Sequence, residues 1–477
     1  MIQVNREIRL SPCLQPTALD KAHVGEVRGA LGTWKTDQVR APGWRGHWRM
    51  FLAVLVLGPG LIVMVGDNDA GAFGTYTQAG QNYGTSLLWT PLLLVPVLYV
   101  NQETVLRLGS VTRVGHARVI LERFGRFWGA FSEIDLFLLN GLTIVTEFIG
   151  VSLGLDYLGL PKTWGVAASA VLVMAAGATG NFRRFERFAL ALVAGSLILI
   201  PVVFMAHPPW GALVHDFVVP QLPAHAPMAD VMLLIIAIVG TTVAPWRLFF
   251  QQSYVIDKPI TTRMIGYERA DLSLGILIVV AGAAAMMAFC AAAFAGTPEF
   301  GQFQDAGAVA ATLVLIPGTP LGLLTNAVQT LAGVLLPSAT VFLFLLCNDS
   351  EVLGPWVNSR GLNFFTGVVI GRLVTLSVIL TAAVLFPDQT GARITETLLA
   401  GVALSVLAAL ASAGGRTAAI APTEATRKTA WHMPPLAQLP PMKLSAIDRG
   451  WLLVLRAYLL VAVLMVIVRV IQLARHL

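Results

Sequence analysis

Eleven segments of the chain stay mostly apolar for about 20 residues, the length that a helix needs to cross the ~30 Å hydrocarbon core of a bilayer. A chain with so many of these segments has to fold as a helical bundle in the membrane, because lipid offers no partners for backbone polar groups. The predicted spans are residues 51–76, 86–106, 131–157, 164–180, 188–206, 230–255, 272–296, 320–347, 364–387, 395–414 and 449–473.

Charged residues make up only 12% of the chain, against about 25% in soluble domains. The 32 Lys and Arg lie mostly in alternate loops, and the opposite loops 207–228 and 297–320 contain none. This alternation is a topology signal. It predicts a multi-pass protein of the cell membrane with a cytoplasmic N-terminus and an outside C-terminus, surrounded by the lipid bilayer and not bound to nucleic acid.

The chain carries none of the motifs that mark ATP hydrolysis, a serine nucleophile or a zinc peptidase. Its three cysteines, Cys13, Cys290 and Cys347, have no CxxC spacing, so neither a disulfide framework nor a thiolate metal site is expected. We therefore predict that the protein is not an enzyme and has no bound cofactor.

Two of the predicted spans are interrupted by residues that do not continue a helix. The first contains the sequence GDNDAG at 66–71, where glycines tolerate a non-helical backbone. The sixth contains GTTVAP at 240–245, which ends in a proline without an N–H donor. Interrupted spans at matching places in two halves of a chain are typical of inverted-repeat transporters, whose exposed carbonyls can coordinate an ion.

Asp67 and Asp69 are the most informative residues of the chain. A carboxylate near the centre of a bilayer costs roughly 2.5–3.5 kcal/mol, so one that is kept there serves an ion, a proton or a partner. With Asn68 between them, the two aspartates form a set of oxygen ligands. The alternative is that one of them only caps the half-helix that follows the break.

The second break offers the carbonyls of Thr241 and Ala244, and two Thr hydroxyls that could equally bond back to the preceding turn. Neither break contains Cys, Met or His, and a site of oxygen atoms alone suits Mg²⁺, Ca²⁺ or Mn²⁺ better than softer metals. Deeper in other spans, Glu147 is a candidate functional acid. Gln329 is either a metal ligand or an interhelical hydrogen-bonding residue.

Other polar residues stand near the predicted ends of spans, where loop hydration or snorkelling accounts for them. They are Gln102, Glu103, Glu133, Asp135 and Asn348. The sequence therefore assigns them no place in a site.

Four segments resemble the Nramp family of divalent-metal transporters. GPGLIVMVGDNDAGAFGTYTQAG at 58–80 is similar to the family's first helix, and GNFRRFER at 180–187 to its loop between helices four and five. IVGTTVAPW at 238–246 resembles its sixth helix, and LLPSATVFLFLLCNDSEVLGPWVN at 335–358 its tenth. The resemblance covers most of residues 50–390. It implies an all-α, LeuT-like inverted-repeat bundle with broken first and sixth helices.

This sequence departs from the family at both breaks. In the family's Asp-Pro-Gly-Asn motif the Asp falls on Asp69, while Ala70 and Ala72 stand in place of the Pro and the Asn. In its Met-Pro-His motif the Met falls on Ala244 and the His on Trp246. The pattern resembles the Nramp-related magnesium transporters, whose wider, all-oxygen site accepts Mg²⁺ with much of its water. Mg²⁺ gains little from sulfur, so loss of the Met removes an advantage of transition metals.

The resemblance also implies that transport is not coupled to protons. Proton-coupled members have a third-helix acidic network and sixth-helix histidines. Here Glu147 matches one of the acids, but the other two positions fall on Ile144 and Phe137. Trp246 and Gln251 replace the histidines. We therefore expect uniport driven by the membrane potential.

The segment between the seventh and tenth helices of the family is much shorter here. Only residues 297–320 join the two, so the family's eighth and ninth helices are expected to be missing and the second repeat to be shortened from five helices to three. Because the number of missing helices is even, the later spans keep the same orientation across the membrane.

The leading hypothesis is a transporter of Mg²⁺, with Mn²⁺ as a second cargo. Its predicted metal ligands are Asp67, Asn68, Asp69, Thr241, Ala244 and Gln329. One alternative is a non-transporting metal-binding or regulatory protein derived from such a transporter. Another is a transporter of small organic solutes, although two acids in the first break disfavour an anionic substrate.

The chain divides into three predicted regions. Residues 1–50 form a cytoplasmic tail, and residues 51–390 form the transport core of about nine spans. Residues 391–477 contain two C-terminal spans, with a polar cytoplasmic linker near 415–447.

Overall fold

The structure is a computed structural model that describes most of the chain from residue 69 onward. The described residues are 26–28, 33–35, 60, 63, 66, 69–178, 182–196, 199–223, 226–258, 260, 262, 264–298, 300–301, 321–385, 391–414, 431, 433–439, 442, 449–453 and 455–457.

Helices dominate the described part of the chain. They are α1 Ala70–Tyr83, α2 Thr90–Thr112, α3 His116–Phe124, α4 Arg126–Tyr157, α5 Lys162–Ala178, α6 Phe182–Ser196, α7 Leu199–Met205, α8 Trp210–Val218, α9 Met228–Thr242, α10 Pro245–Asp257, α11 Ile265–Phe294, α12 Leu321–Cys347, α13 Ser350–Leu353, α14 Arg360–Leu385 and α15 Gly391–Gly414, with 3₁₀ turns at Gly354–Trp356 and Leu436–Gln438. Two short strands, β1 Glu26–Arg28 and β2 Thr33–Lys35, pair antiparallel in the N-terminal tail.

The predicted all-α membrane fold is confirmed. Five described helical segments are long and apolar enough to cross a membrane: Arg126–Ser152, Asp230–Asp257, Ile265–Phe294, Val328–Cys347 and Arg360–Ile379. Of these, Asp230–Asp257 runs through α9 and α10 together. Lys162–Ala175 and Glu396–Leu410 are shorter apolar helices within other predicted spans. The predicted spans 51–76 and 449–473 lie mostly outside the described residues.

α1, α2, α9 and α11 pack around one apolar core. Tyr76, Leu98, Ile238 and Leu272 are among the buried side chains that meet there. Where α1 crosses α11, a Cβ at Gly80 would lie 2.3 Å from the Met287 carbonyl oxygen. Because residue 80 has no side chain, α1 can pack close against α11.

α9 and α12 cross at a pair of glycines. A Cβ at Gly240 would lie 1.9 Å from the Gln329 carbonyl oxygen and 2.4 Å from the Gly333 nitrogen. A Cβ at Gly333 would lie 2.6 Å from the Ile236 carbonyl oxygen. The two backbones are in direct contact, as small residues allow in membrane helices. The crossing places Gln329 beside the end of α9.

Gln102 and Glu103 are not hydrated residues of a membrane end, which corrects the expectation from the sequence. Both are buried within α2. Glu103 pairs with Arg107 one turn later at 3.2 Å and with Arg269 of α11 at 2.5 Å. Arginine partners, one of them from a distant helix, compensate the buried carboxylate.

Two further residues that the sequence places at hydrated ends of spans instead form hydrogen bonds with side chains of other helices. Asp135 accepts a hydrogen bond from the Ser338 hydroxyl at 3.1 Å, and the Asn348 amide oxygen accepts from Asn363 at 2.7 Å. Glu133, in contrast, is exposed as expected.

The connection between α11 and α12 is short, as predicted. α11 ends at Phe294 and α12 begins at Leu321, which leaves the 26 residues from 295 to 320 between them. Two additional spans would need about 40 residues. The order of the helices therefore agrees with a second repeat that lacks two helices.

α4 presents a largely exposed apolar face. Only 17% of its most apolar 18-residue stretch is buried, against 89% of the corresponding stretch in Asp230–Asp257. Its exposed large apolar side chains are Phe127, Ile134, Phe137, Leu138 and Ile144, and α5 adds Trp164, Val171, Leu172, Val173 and Met174. Among the described residues, α4 and α5 thus stand at the edge of the bundle.

The first C-terminal span packs tightly on the core. A Cβ at Gly371 of α14 would lie 2.3 Å from the Ser405 hydroxyl oxygen of α15, and a Cβ at Gly401 would lie 2.2 Å from the Thr375 methyl carbon. α14 and α15 are therefore in close contact, with side-chain atoms facing the two glycines, whereas backbone atoms face the glycines where α9 crosses α12.

Candidate metal centre

The first break lies directly before α1. Residues 60 and 63 are helical, Gly66 is in a turn, and Asp69 is the N-cap residue of α1 with an extended backbone. The Asp69 Oδ1 accepts a hydrogen bond from the Ala72 N–H at 2.6 Å. The predicted interruption is therefore present, while Asp67 and Asn68 lie outside the described residues.

Asp69 thus has the capping role that the sequence left open as an alternative. Capping engages Oδ1, and an ionised carboxylate has a second oxygen that can accept or ligate. The N-terminal end of α1 also stabilises negative charge through its dipole. Capping and ion binding are therefore compatible in this one residue.

Glu147 of α4 reaches the same end of α1. Its Oε2 lies 3.5 Å from the Ala70 nitrogen, at the long limit of a hydrogen bond. One turn later, a Cβ at Gly150 would lie 2.3 Å from the Ala70 Cβ, so α4 approaches α1 very closely here. Two carboxylates consequently flank the first turn of α1, and a cation between them would relieve their repulsion.

Gln329 of α12 contacts this first turn as well. A Cβ at Gly71 would lie 1.7 Å from the Gln329 Nε2, and the Gln329 side chain is buried. The structure therefore brings Asp69, Glu147 and Gln329, from three helices, to the start of α1.

The second break separates α9 from α10. α9 ends at Thr242, Val243 and Ala244 leave the helical conformation, and α10 begins at Pro245. A proline fits this first helical position because the N–H that it lacks would have no partner within the helix. The interruption predicted at 240–245 is confirmed.

Arg247 is a residue of this break that the sequence analysis missed. It is fully buried, its Nη2 donates to the Thr241 carbonyl oxygen at 3.0 Å, and its backbone N–H donates to the Ala244 carbonyl oxygen at 3.1 Å. Both carbonyls predicted to ligate a metal thus accept a hydrogen bond from one residue. A carbonyl oxygen has two lone pairs, so these bonds do not exclude a metal. The sequence feature that could have identified this residue is an arginine within an apolar span, two positions after Pro245.

The two threonine hydroxyls of the break behave differently. Thr242 bonds back to the Ile238 carbonyl oxygen at 2.6 Å and accepts from the Tyr76 hydroxyl at 2.6 Å. The Thr241 hydroxyl is buried without a hydrogen-bond partner among the described residues. Because Tyr76 belongs to α1, the Tyr76–Thr242 bond ties α1 to the end of α9.

The candidate metal ligands at these breaks all offer oxygen atoms. Within the described ranges, no group of three or more His, Cys, Asp or Glu is placed to hold a metal. The available groups are two carboxylates, an amide and backbone carbonyls. This is the kind of set that hard cations such as Mg²⁺ accept, with water completing the coordination.

The sequence profile of the family described as natural resistance-associated macrophage protein-like, or Nramp, matches residues 60–313 and 306–383. The match includes both breaks and runs from before α1 into α14. It divides into two parts within the short connection between α11 and α12.

Curated relatives point to the same family. A protein of Ralstonia nicotianae named divalent metal cation transporter MntH is 32% identical over 358 residues, which are 67% of this chain and 78% of the relative. A protein of the same name from Xylella fastidiosa is 28% identical over 410 residues, 77% of this chain and 81% of the relative. These relatives are transporters, in agreement with the prediction that the chain is not an enzyme.

Solved structures show the likeness of the fold. A crystal structure of an Eremococcus coleocola manganese transporter, in complex with an aromatic bis-isothiourea substituted compound, matches with a TM-score of 0.60 at 17% identity, covering 78% of this chain and 96% of that one. A mutant of that transporter matches with a TM-score of 0.61 at 16% identity, covering 82% and 98%. Together with the profile match, this confirms the predicted family and its LeuT-like fold: the chain is a multi-pass membrane protein of the Nramp family.

Proposed function

We propose that this protein transports divalent metal ions across the membrane, with Mg²⁺ as its main cargo and Mn²⁺ as a second one. The observation that carries the proposal is the meeting of two broken helices, tied by the Tyr76–Thr242 bond, with Asp69 at the start of one of them. Family membership and the names of the relatives support divalent metal transport as the class.

The preference for Mg²⁺ follows from the donors at the second break. Ala244 occupies the position where the resemblance expects a methionine, so no thioether is available to reward a softer ion. In the proposed site Asp69 is the central ligand, and Asp67 and Asn68 bind directly or through water. The carbonyls of Thr241 and Ala244 and the amide of Gln329 complete the set.

Transport in this proposal is uniport into the cytoplasm, with a cytoplasmic N-terminus as the charge alternation suggests. Phe137 and Ile144 stand at two positions of the acidic network that the resemblance expects in proton-coupled members. The side chains are exposed on α4, Phe137 to 78% and Ile144 to 56%. Neither can carry a proton. The membrane potential supplies ~2.3 kcal/mol per charge per 100 mV, and so about twice that for a divalent ion.

Uptake by proteoliposomes tests this proposal. Under an inside-negative potential we expect Mg²⁺ to enter, to carry net positive charge inward and to leave the lumenal pH unchanged. The reason is that Phe137, Ile144, Trp246 and Gln251 stand where proton-coupled members have titratable residues, which leaves Glu147 alone. A Mg²⁺ indicator, a potential-sensitive dye and a pH dye in parallel samples report the three quantities. Acidification that depends on Mg²⁺ would contradict uniport.

A second candidate function is metal binding without transport. The short connection between α11 and α12 favours it, since the missing helices belong to the scaffold against which the broken helices move. Mg²⁺ binding without uptake would support this candidate. Insertion of the two helices of a full-length relative between α11 and α12 should then restore uptake in a chimera that folds normally.

The substitution Ala244→Met tests the metal preference. A methionine here should narrow the proposed site. It should also shift the ratio of binding affinities by about tenfold in favour of Mn²⁺ or Cd²⁺ over Mg²⁺, because sulfur ligands bind softer ions better. Competition between Mg²⁺ and Mn²⁺ for binding measures the effect, and Ala244→Leu controls for side-chain size. If methionine and leucine gave the same ratio, the side chain of residue 244 would not face the metal.

A further inference from the structure

The carbonyl end of α9 is a place where a cation is expected. In broken-helix transporters, the C-terminal ends of half-helices and unwound carbonyls coordinate cations, and a helix C-terminus carries partial negative charge. Here the Arg247 guanidinium occupies that place. Its Nη2 lies 3.0 Å from the Thr241 carbonyl oxygen, and the whole residue is buried.

We propose that Arg247 is a tethered cation that holds the Thr241 carbonyl while the site is empty and releases it when a metal ion enters. The backbone N–H of Arg247 is bonded to the Ala244 carbonyl oxygen at 3.1 Å, so the proposed release moves the side chain and leaves the backbone in place. Arg247 is then a positioning residue of the transport cycle. This inference rests on the proposed function.

The empty site explains why a built-in cation is useful. Without cargo, the carboxylates of Asp69 and Glu147 remain in the membrane interior, where uncompensated charge is costly. A positive side chain that stays in the protein reduces the net negative charge of the empty site. The empty transporter can then return without borrowing a proton or a second ion.

The fluorescence of Trp246 can report this movement while Arg247 itself is left unchanged. The Arg247 guanidinium carbon lies 5.9 Å from the centroid of the Trp246 ring. Displacement of the guanidinium should change the emission of this indole, because a nearby charge alters its surroundings. The difference between the wild type and Trp246→Phe isolates this signal from the other tryptophans.

The test compares net uptake with exchange of isotopically labelled Mg²⁺ in proteoliposomes. Exchange needs only the loaded transporter, whereas net uptake needs the empty one to return. In Arg247→Gln we expect net uptake to fall about tenfold relative to exchange, because an uncompensated charge then has to move through the membrane. Mg²⁺ binding should tighten severalfold because a competing cation is gone, and Arg247→Lys should stay near the wild type in both respects.

Arg107→Gln is the matched control. Arg107 is another buried arginine away from the breaks, bonded to Asn358 and the Trp356 carbonyl oxygen and paired with Glu103. The charge that its loss exposes on Glu103 is present in the loaded and the empty transporter alike, so net uptake and exchange should fall in equal proportion. An unchanged ratio of the two rates in Arg247→Gln would overturn the proposal. If that variant does not fold, the Trp246 signal decides: a Mg²⁺-dependent change supports displacement, and its absence contradicts it. A wild type that moves Mg²⁺ in neither mode would instead overturn the proposed function, and the Trp246 signal would still test Arg247.

Discussion

Asp69→Ala is expected to abolish Mg²⁺ binding and uptake while the protein still folds. The substitution removes the proposed central ligand and also the N-cap of α1, whose loss costs about 1 kcal/mol. It equally removes a carboxylate whose burial in the membrane costs roughly 2.5–3.5 kcal/mol. The two effects oppose each other and the second is the larger, so the melting temperature should not fall. Calorimetric Mg²⁺ binding, proteoliposome uptake and the melting temperature measure the three quantities.

Asp69→Asn separates the two roles of this residue. Asparagine caps a helix as well as aspartate does, but it brings no negative charge. If Asp69 ligates the ion, the asparagine variant should retain the stability of the wild type and lose most of its Mg²⁺ affinity. Uptake at the wild-type rate in either variant would reduce Asp69 to a structural cap.

Gly240→Ala is expected to have the second large effect, on the fold itself. The added Cβ would lie 1.9 Å from the Gln329 carbonyl oxygen and 2.4 Å from the Gly333 nitrogen, and both are backbone atoms that cannot turn aside. Overpacking of this kind costs about 3 kcal/mol or more. We expect a lower melting temperature, and loss of uptake because Gln329 and the second break would be displaced together.

Gly141→Ala in α4 is the control for this substitution. An ideal Cβ at Gly141 meets no atom within 4 Å, so alanine should leave stability and uptake unchanged or slightly improve stability through its higher helix propensity. Equal melting temperatures for the two alanine variants would show that α9 and α12 do not cross at Gly240.

The two breaks could be predicted because their causes are local. Pro245 lacks a donor for the helix, and the sequence GDNDAG places charges and glycines where an apolar span should continue. Such features act within a few residues of the chain. Both breaks therefore stand in the structure where the sequence places them.

The details of the site depend on contacts between distant parts of the chain. Glu103 is buried because Arg269, 166 residues away, pairs with it. The contact of Glu147 with the start of α1 likewise joins residues 77 positions apart. No spacing within one helix reveals such partners. The role of Arg247 was missed for a different reason, since its bond to Thr241 spans only six residues but crosses a break whose backbone course the sequence does not specify.

The exposed face of α4 brings lipid close to the proposed ion site. Glu147 contacts the start of α1, while Ile144, three residues earlier on the same helix, is exposed where lipid chains are its neighbours in a membrane. Residues three apart lie on adjoining parts of a helix surface, and a helix with its side chains is only about 10–12 Å across, so a cation at Glu147 would lie that close to a medium with almost no power to screen its charge. The hydrocarbon, and the bilayer thickness that sets its extent, thereby become part of the dielectric environment in which this protein handles its ion.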